Sequence, residues 1–453
     1  MLLPLLLAPA LAGRPTSVTG YTDSATHLIR CHWARERDAE LCPEALAAAE
    51  AAWDAQVGVL GFAEPLPDAG EGGSDALDLY LVVEETGGAG IAWVECDGGD
   101  GSCLDSDPTD GRAAAPSYIQ IDARTEDLSV FVVHEFNHVC QYATDYAEPF
   151  LVLWEGTAVS AERWTLPDWT QSTDDIADYQ ATPWLSAVLQ DGYLLWDDYA
   201  IWSYYEYGSM VWVTWLDHRW GDGAGSLGPP LWEAVTQEGN GTEPDVLDAW
   251  DGISGDWAAD MMAFALARAQ WGRTPESPDW IAFAGAQAGV AREQEDLPLP
   301  AHITPLMPPF PLGATYVGLQ ATPGDRLQLV LDADPSVDWG LVVVESGGGA
   351  VLQPGDDYGP VVTGDLTVGV VNLGTPGMDA DDVLSPASFV LDVRTYPVDS
   401  MPADTGADTA GDTETPKEEP PGCGCGTGGA GWGAGGLALL ALAARRRRAQ
   451  ITM

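Results

Sequence analysis

The hydrophobic pattern along the chain changes period several times, and each change marks an element. PEALAAAEAAWDAQ opens with Pro43 at a helix start and is rich in helix-favouring alanine, so it predicts a helix. DLYLVV (78–83) and SYIQIDA (117–123) are short β-rich runs bounded by Gly, Asp and Pro, and they read as strands joined by a long acidic loop. Leu128 to Tyr142 then runs without Pro or Gly and predicts a helix capped by Thr125, with Glu126 and Asp127 at the positive end of its dipole. A second helix is expected in EPFLVLWEGTAVSAERW, where Pro149 suits the start. SYYEYGSMVWVTWLDHRWG (203–221) is strongly apolar and stops at Gly221, as a largely buried helix does, and DWAADMMAFALARAQW (256–271) repeats that signature. Residues 13–300 are therefore expected to form an α+β unit with a helical second half.

After PLMPPFPLG the runs RLQLVLDA, WGLVVVES, LTVGVVNLG and FVLDVRTYP are short, β-rich and separated by Gly, Asp and Pro, which predicts a small antiparallel β-sandwich over 301–397. It carries no evident chemistry and reads as an appended module. Residues 398–421 hold almost no apolar side chains and repeat Asp-Thr, so they cannot offset the entropy of ordering and form an acidic, extended stalk. Residues 422–453 contain a Gly-rich apolar stretch followed by Arg445 to Arg448, a short membrane span with a basic stop that would leave the folded part outside. At the other end MLLPLLLAPALAG is apolar and finishes in the small-residue pattern Ala10-Leu11-Ala12, a secretory signal over 1–12.

Composition narrows the range of partners. The chain has 453 residues, which fits two folded units plus tails, and a formal net charge of -52. Such a surface repels phosphate backbones, so no nucleic-acid partner is expected. In an oxidising compartment Cys31 with Cys42 and Cys96 with Cys103 are close enough in sequence to close small loops. Cys140 reads as a small buried apolar residue. The loop CDGGDGSCLDSDPTDG lacks the spacing and terminal Glu of an EF-hand and reads as a solvated surface loop.

The chemistry concentrates in VVHEFNHVCQY, which uses two of only six histidines. On a helix His134 and His138 share one face at i and i+4, so their imidazoles can converge on one tetrahedral Zn²⁺, with Glu135 beside the open position to take a proton from bound water. Glu155 and Glu162 lie about two turns apart on one face of the next helix, and a short turn would bring Glu155 back as the third ligand. Glu162 reads equally as a surface carboxylate or as a group orienting a ligand imidazole.

The text HEFNHVCQY, then WEGTAVSAE, then YEYGSMVWVTWL and LWEA resembles the gluzincin-type zinc metallopeptidases, and more closely a group of secreted bacterial metalloproteases, over roughly residues 20 to 300. The resemblance implies a zincin-like fold, His134, His138 and Glu155 as zinc ligands and Glu135 as general base. Sixteen residues lie between His138 and Glu155, fewer than in the thermolysin-like pattern, and no Asn-Glu-x-x-Ser-Asp follows, which sets the chain apart from the thermolysin family itself. The tail, with Gly-Cys-Gly-Cys, an apolar span and an Arg cluster, looks like the MYXO-CTERM sorting domain of myxobacterial surface proteins, which implies a C-terminal processing enzyme acting near Cys423 and retention at the cell surface.

The expectation is thus an exported, cell-surface zinc metalloendopeptidase acting on protein or peptide, with substrate extended along SYIQIDA as an edge strand. Tyr204, Tyr205 and Tyr207 are candidates to donate to a tetrahedral oxyanion, against a plain core role, and His218 reads as a surface residue at a helix end. The competing reading is an inactive metallopeptidase-like binding or adhesion protein.

Overall fold

The structure is a computed structural model. It describes residues 14–83, 89–95, 113–166, 173–190, 192, 195, 203–236, 244–271, 289–346, 348–361 and 363–397. The expected signal, the Cys96 and Cys103 pairing, the stalk and the sorting tail lie outside the described residues. Among the described residues no helix is long and apolar enough to cross a membrane.

The chain is α+β. Strands β1 (Gly20–Asp23), β2 (Ile29–Trp33), β3 (Leu77–Val82), β4 (Gly90–Val94) and β5 (Ser117–Asp122) form one sheet in the order β1-β2-β3-β5-β4. β2, β3 and β5 run parallel, while β1 and β4 are antiparallel to their neighbours. Alternation gives each face its character: Leu77, Leu79, Leu81, Ile119 and Ile121 point into the main core, and Asp78, Tyr80, Tyr118 and Gln120 take the other face. SYIQIDA is therefore not an edge strand. It lies between β3 and β4, and the edge belongs to GIAWV, a run that the sequence reading left inside a loop.

Helix α1 (Cys42–Ala52) starts with Pro43 in its first turn and continues as a wider π-helical turn, Trp53–Leu60, ending at Gly61 with φ 93°. The Cys31–Cys42 disulfide expected from the spacing ties β2 to the start of α1. Next come α2 (Leu128–Tyr142) and α3 (Leu151–Thr165), then α4 (Thr173–Ala181), α5 (Tyr205–Gly208), α6 (Met210–Trp220), α7 (Gly228–Ala234), α8 (Val246–Ser254) and α9 (Trp257–Gln270). Thr125 does not cap α2. A turn in which Thr125 N donates to Asp122 O follows β5 and delays the helix, so Asp127 occupies the cap position and the first turn holds no acid. The run expected as one helix over 203–221 breaks at Ser209, whose hydroxyl donates to Val152 O at 2.7 Å, where α3 comes so close that a Cβ on Gly156 would lie 2.3 Å from Ser209 Oγ.

The remaining strands, β6 (Gln294–Pro298), β7 (Ala301–Ile303), β8 (Gly313–Gln320), β9 (Asp325–Ala333), β10 (Trp339–Glu345), β11 (Gly348–Leu352), β12 (Asp357–Tyr358), β13 (Asp365–Asn372) and β14 (Phe389–Pro397), make two sheets, β11-β10-β13-β8-β6 and β12-β9-β14-β7. Leu329 and Leu391 of one meet Leu341, Val343 and Val368 of the other in a second core. The sandwich is not wholly antiparallel, since β6 pairs with β8 in parallel, and it begins before residue 301. It is also more than an appendage: Ala314, Tyr316, Val342, Val344 and Val371 join the main core, and Tyr316 donates to Ala265 O of α9 at 2.9 Å. Backbone meets side chain where a Cβ on Gly340 would lie 2.2 Å from Met262 Sδ.

Candidate metal centre

Helix α2 is buried over most of its length between the sheet and α1 and α3, and unlike an ordinary core helix it buries His134, Glu135, Asn137, His138 and Gln141. Buried polar groups must find partners, and these find them mainly in one another and in the neighbouring elements. Gln56, fully buried in the π turn, donates to Val133 O at 3.1 Å and accepts from Asn137 Nδ2 at 3.1 Å. Gln141 donates to Asn137 Oδ1 at 2.9 Å and to Trp154 O at 3.1 Å, which leaves its Oε1 as acceptor for His138 Nδ1 at 2.6 Å. His134 Nδ1 lies 2.7 Å from Glu162 Oε1.

These partners set the tautomers, because a proton on each Nδ1 leaves each Nε2 with a bare lone pair. The two Nε2 atoms stand 3.1 Å apart, and Glu155 Oε2 lies 3.1 Å from His134 Nε2 and 3.5 Å from His138 Nε2. Three lone pairs converging in a buried place repel unless a proton or a cation sits among them. His134, His138 and Glu155 form a buried group able to hold a metal ion. The donor set fits a small tetrahedral metal: bonds of about 2.0–2.1 Å require donor–donor edges of about 3.3 Å, the middle of the observed range. With only protons present, burial works against the His134 imidazolium, yet hydrogen bonds to Glu155 and Glu162 outweigh it and raise its pKa well above the ordinary value. Burial likewise opposes the Glu155 carboxylate, but His138 and His134 together bring it down to about 2. Without a metal the two form a buried ion pair, in which a proton takes the place a cation could hold.

Glu135 lies beside this triangle with a different character. Only 2% exposed, its Oε2 has no hydrogen-bond partner among the described residues, and the carboxylate takes a backbone hydrogen bond from Ala92 of β4. Burial is the largest influence on it and pushes its pKa upward. Ala89 O and Glu95 N bond to β5. By antiparallel alternation Gly90, Ala92 and Val94 therefore turn their N–H and C=O groups to the side of β4 that has no strand partner among the described residues. Ala92 O is also approached by Tyr142 OH at 3.4 Å.

Gly90 is required here by proximity, since a Cβ would lie 2.8 Å from Glu135 Oε1 and 2.9 Å from Ile121 Cδ1. Gly90→Ala is expected to displace the Glu135 carboxylate, leaving metal content unchanged and lowering any activity that depends on Glu135 by about 10²-fold. Measured metal stoichiometry alongside turnover checks this, and full activity in the variant would refute the placement of Glu135.

The structure brings the expected His134, Glu135, His138 and Glu155 together and places Glu162, 4% exposed, against His134 Nδ1 rather than in solvent. It also separates the three tyrosines. Tyr205 donates to Ser186 O at 2.9 Å and packs on Tyr179 in the core. Tyr204 is set back against Tyr207. Tyr207 stacks 5.9 Å from the His134 ring. Its phenol is raised well above its usual pKa by burial and by Glu155, Glu206 and Glu135. His218 is exposed in the last turn of α6, and Cys140 is a free, buried thiol, both as expected. The sequence reading missed Gln56, Asn137 and Gln141, whose only signal was amide side chains on an otherwise apolar helix and next to it.

No family model matches the chain, and no curated protein matches it. Among solved structures, a similarity to the crystal structure of Salmonella Typhimurium PliG, a periplasmic lysozyme inhibitor of g-type lysozyme, covers 22% of this chain and 98% of that chain, with 9% sequence identity and a TM-score of 0.17. A likeness this slight carries no argument.

Proposed function

We propose that the protein is a zinc-dependent metallopeptidase of zincin-like architecture, in which His134, His138 and Glu155 hold Zn²⁺ and Glu135 is the general base. The observation that carries this reading is the pairing of a three-donor triangle, with edges of 3.1–3.5 Å, with a buried carboxylate oxygen that has no partner among the described residues. Two imidazoles and one carboxylate suit zinc and leave a fourth position open, whereas calcium or magnesium would call for oxygen donors. Zinc bound there would polarise a carbonyl and make a water molecule acidic.

The residues of the chain supply the rest. Glu135 Oε2 accepts a proton from the attacking water and returns it to the leaving amine. The Tyr207 phenol donates to the carbonyl oxygen as it gains charge. An extended peptide pairs with the N–H and C=O groups that Gly90 and Val94 of β4 turn to the edge rather than with SYIQIDA, while Ala92 between them stays bonded to Glu135 and Tyr142. Export and surface retention follow from the signal-like residues 1–12 and the sorting-like residues 422–453. A protein or peptide substrate and a C-terminal processing enzyme are then the partners.

The test is a metal assay on the purified chain combined with cleavage of a peptide library. One zinc per chain, hydrolysis abolished by a chelator and restored by zinc, and a Tyr207→Phe variant with kcat lowered about 10-fold at unchanged KM are expected. Stoichiometric zinc without cleavage of any peptide would favour an inactive binding protein instead.

A further inference from the structure

The face of the first sheet opposite α2 carries a second buried polar cluster, and at its centre is a residue far from the zinc ligands. The Arg14 guanidinium reaches across three strands. Its Nη1 donates to Asp78 Oδ2 on β3 and to Tyr80 OH at 3.1 Å, its Cζ lies 5.0 Å from the Tyr118 ring centroid on β5, and its Nε donates at 2.6 Å to Glu95, the residue that follows β4. Nη2 is held at 2.5 Å by Asp68, from the loop that covers this face, and at 2.5 Å by Glu95. The five N–H donors of the guanidinium are thereby matched by five contacts. His32 Nε2 takes the other Asp78 oxygen at 2.7 Å and stacks on Tyr80. Gly72, at φ 63°, brings loop backbone so close that a Cβ there would collide with the Asp78 carboxylate.

Among the described residues β4 has one ladder partner, β5, and its other edge lies beside Glu135. Along that edge it is held by Glu135 and Tyr142 through Ala92. On the outer face Arg14 ties its end, through Glu95, to β3 two strands away. We infer that Arg14 is a positioning residue, a cationic strap that fixes edge strand β4 over Glu135 and so sets how firmly an extended peptide is received. This rests on the peptidase reading, but the position of β4 can be measured without any turnover.

The strap predicts a specific pH signature. Asp68 and Glu95 are both pushed above the ordinary carboxylate range, by burial first, with Arg14 opposing. The other charged or titratable groups in the cluster are Asp78, His32, Tyr80, Tyr118, Glu71 and Arg30, none of which replaces the guanidinium between Asp68 and Glu95. Without Arg14 the carboxylates repel one another when ionised. The resulting defect is full at high pH and shrinks as pH falls and they take up protons.

The experiment compares the wild-type chain with Arg14→Met and Arg14→Lys by zinc content, by amide hydrogen exchange over residues 90–94 and by steady-state kinetics at pH 6 and pH 8. In Arg14→Met, full zinc, exchange over 90–94 faster by about 10-fold, KM raised about 10-fold with kcat within about 3-fold, and a smaller defect at pH 6 are expected, with Arg14→Lys in between. If Arg14→Met does not fold, Glu95→Gln removes the charge at the end of β4 alone and is expected to show the same exchange change. Unchanged exchange over 90–94 in a folded Arg14→Met, or in Glu95→Gln where the former fails, overturns the strap whether or not the chain hydrolyses peptides. Faster exchange in a chain without peptidase activity supports the strap and refutes only the reading on which its purpose rests.

Discussion

Glu135→Gln is expected to retain one zinc per chain and to lose the proposed peptide hydrolysis by at least about 10²-fold, the usual contribution of a general base. The substitution keeps the shape of the side chain and its contact with β4, and it leaves His134, His138 and Glu155 untouched. What it removes is the capacity of Oε2 to accept a proton in a place where that oxygen has no other partner among the described residues. Zinc content by elemental analysis and turnover on one peptide, measured on the same preparation, separate loss of the base from loss of the metal. An active Glu135→Gln enzyme would overturn the assigned mechanism.

The two glutamates of α3 are expected to differ sharply. Glu155→Ala deletes one of three donors and is expected to weaken zinc binding by well over about 10²-fold, whereas Glu162→Ala, which frees only the far nitrogen of His134, costs about 10-fold. The difference follows from the side of the imidazole each carboxylate meets: Glu155 Oε2 lies 3.1 Å from Nε2 and Glu162 Oε1 lies 2.7 Å from Nδ1. Glu162→Gln, which still accepts a hydrogen bond, should recover most of the loss. Zinc competition titrations against a chromophoric chelator give the ratio directly. Equal losses in the Glu155 and Glu162 variants would show that the third donor is misassigned.

Both predictions concern groups that were visible in the sequence because their relations are local. His134, Glu135 and His138 fall on neighbouring positions of one uninterrupted helix, and Glu155 and Glu162 fall two turns apart on the next, so helical periodicity alone puts them on common faces. The β-rich runs after residue 301 were legible for the same reason, each being a short segment with its own turn residues. The disulfide between Cys31 and Cys42 needed only a short separation along the chain.

Pairing and covering were decided by the tertiary structure. SYIQIDA alternates as a half-solvated strand would, yet all six residues of β5 are buried, because β4 pairs along its outer side while Arg14 and the Asp68 loop cover Tyr118 and the neighbouring polar side chains. Which strand forms the edge depends on partners remote in sequence, and no local period encodes it. The same holds for Tyr207 and Tyr205, two residues apart, of which one meets His134 and the other Ser186 according to how α5 lies on α3 and α4. It holds too for Gln141, whose amide fixes the His138 tautomer only because Asn137 Oδ1 and Trp154 O take its donors. The sequence by itself determined which groups could do chemistry, since side-chain type and helical spacing are local properties. Their protonation, their orientation and the strand laid beside them came from contacts between distant segments, which only the packed chain creates.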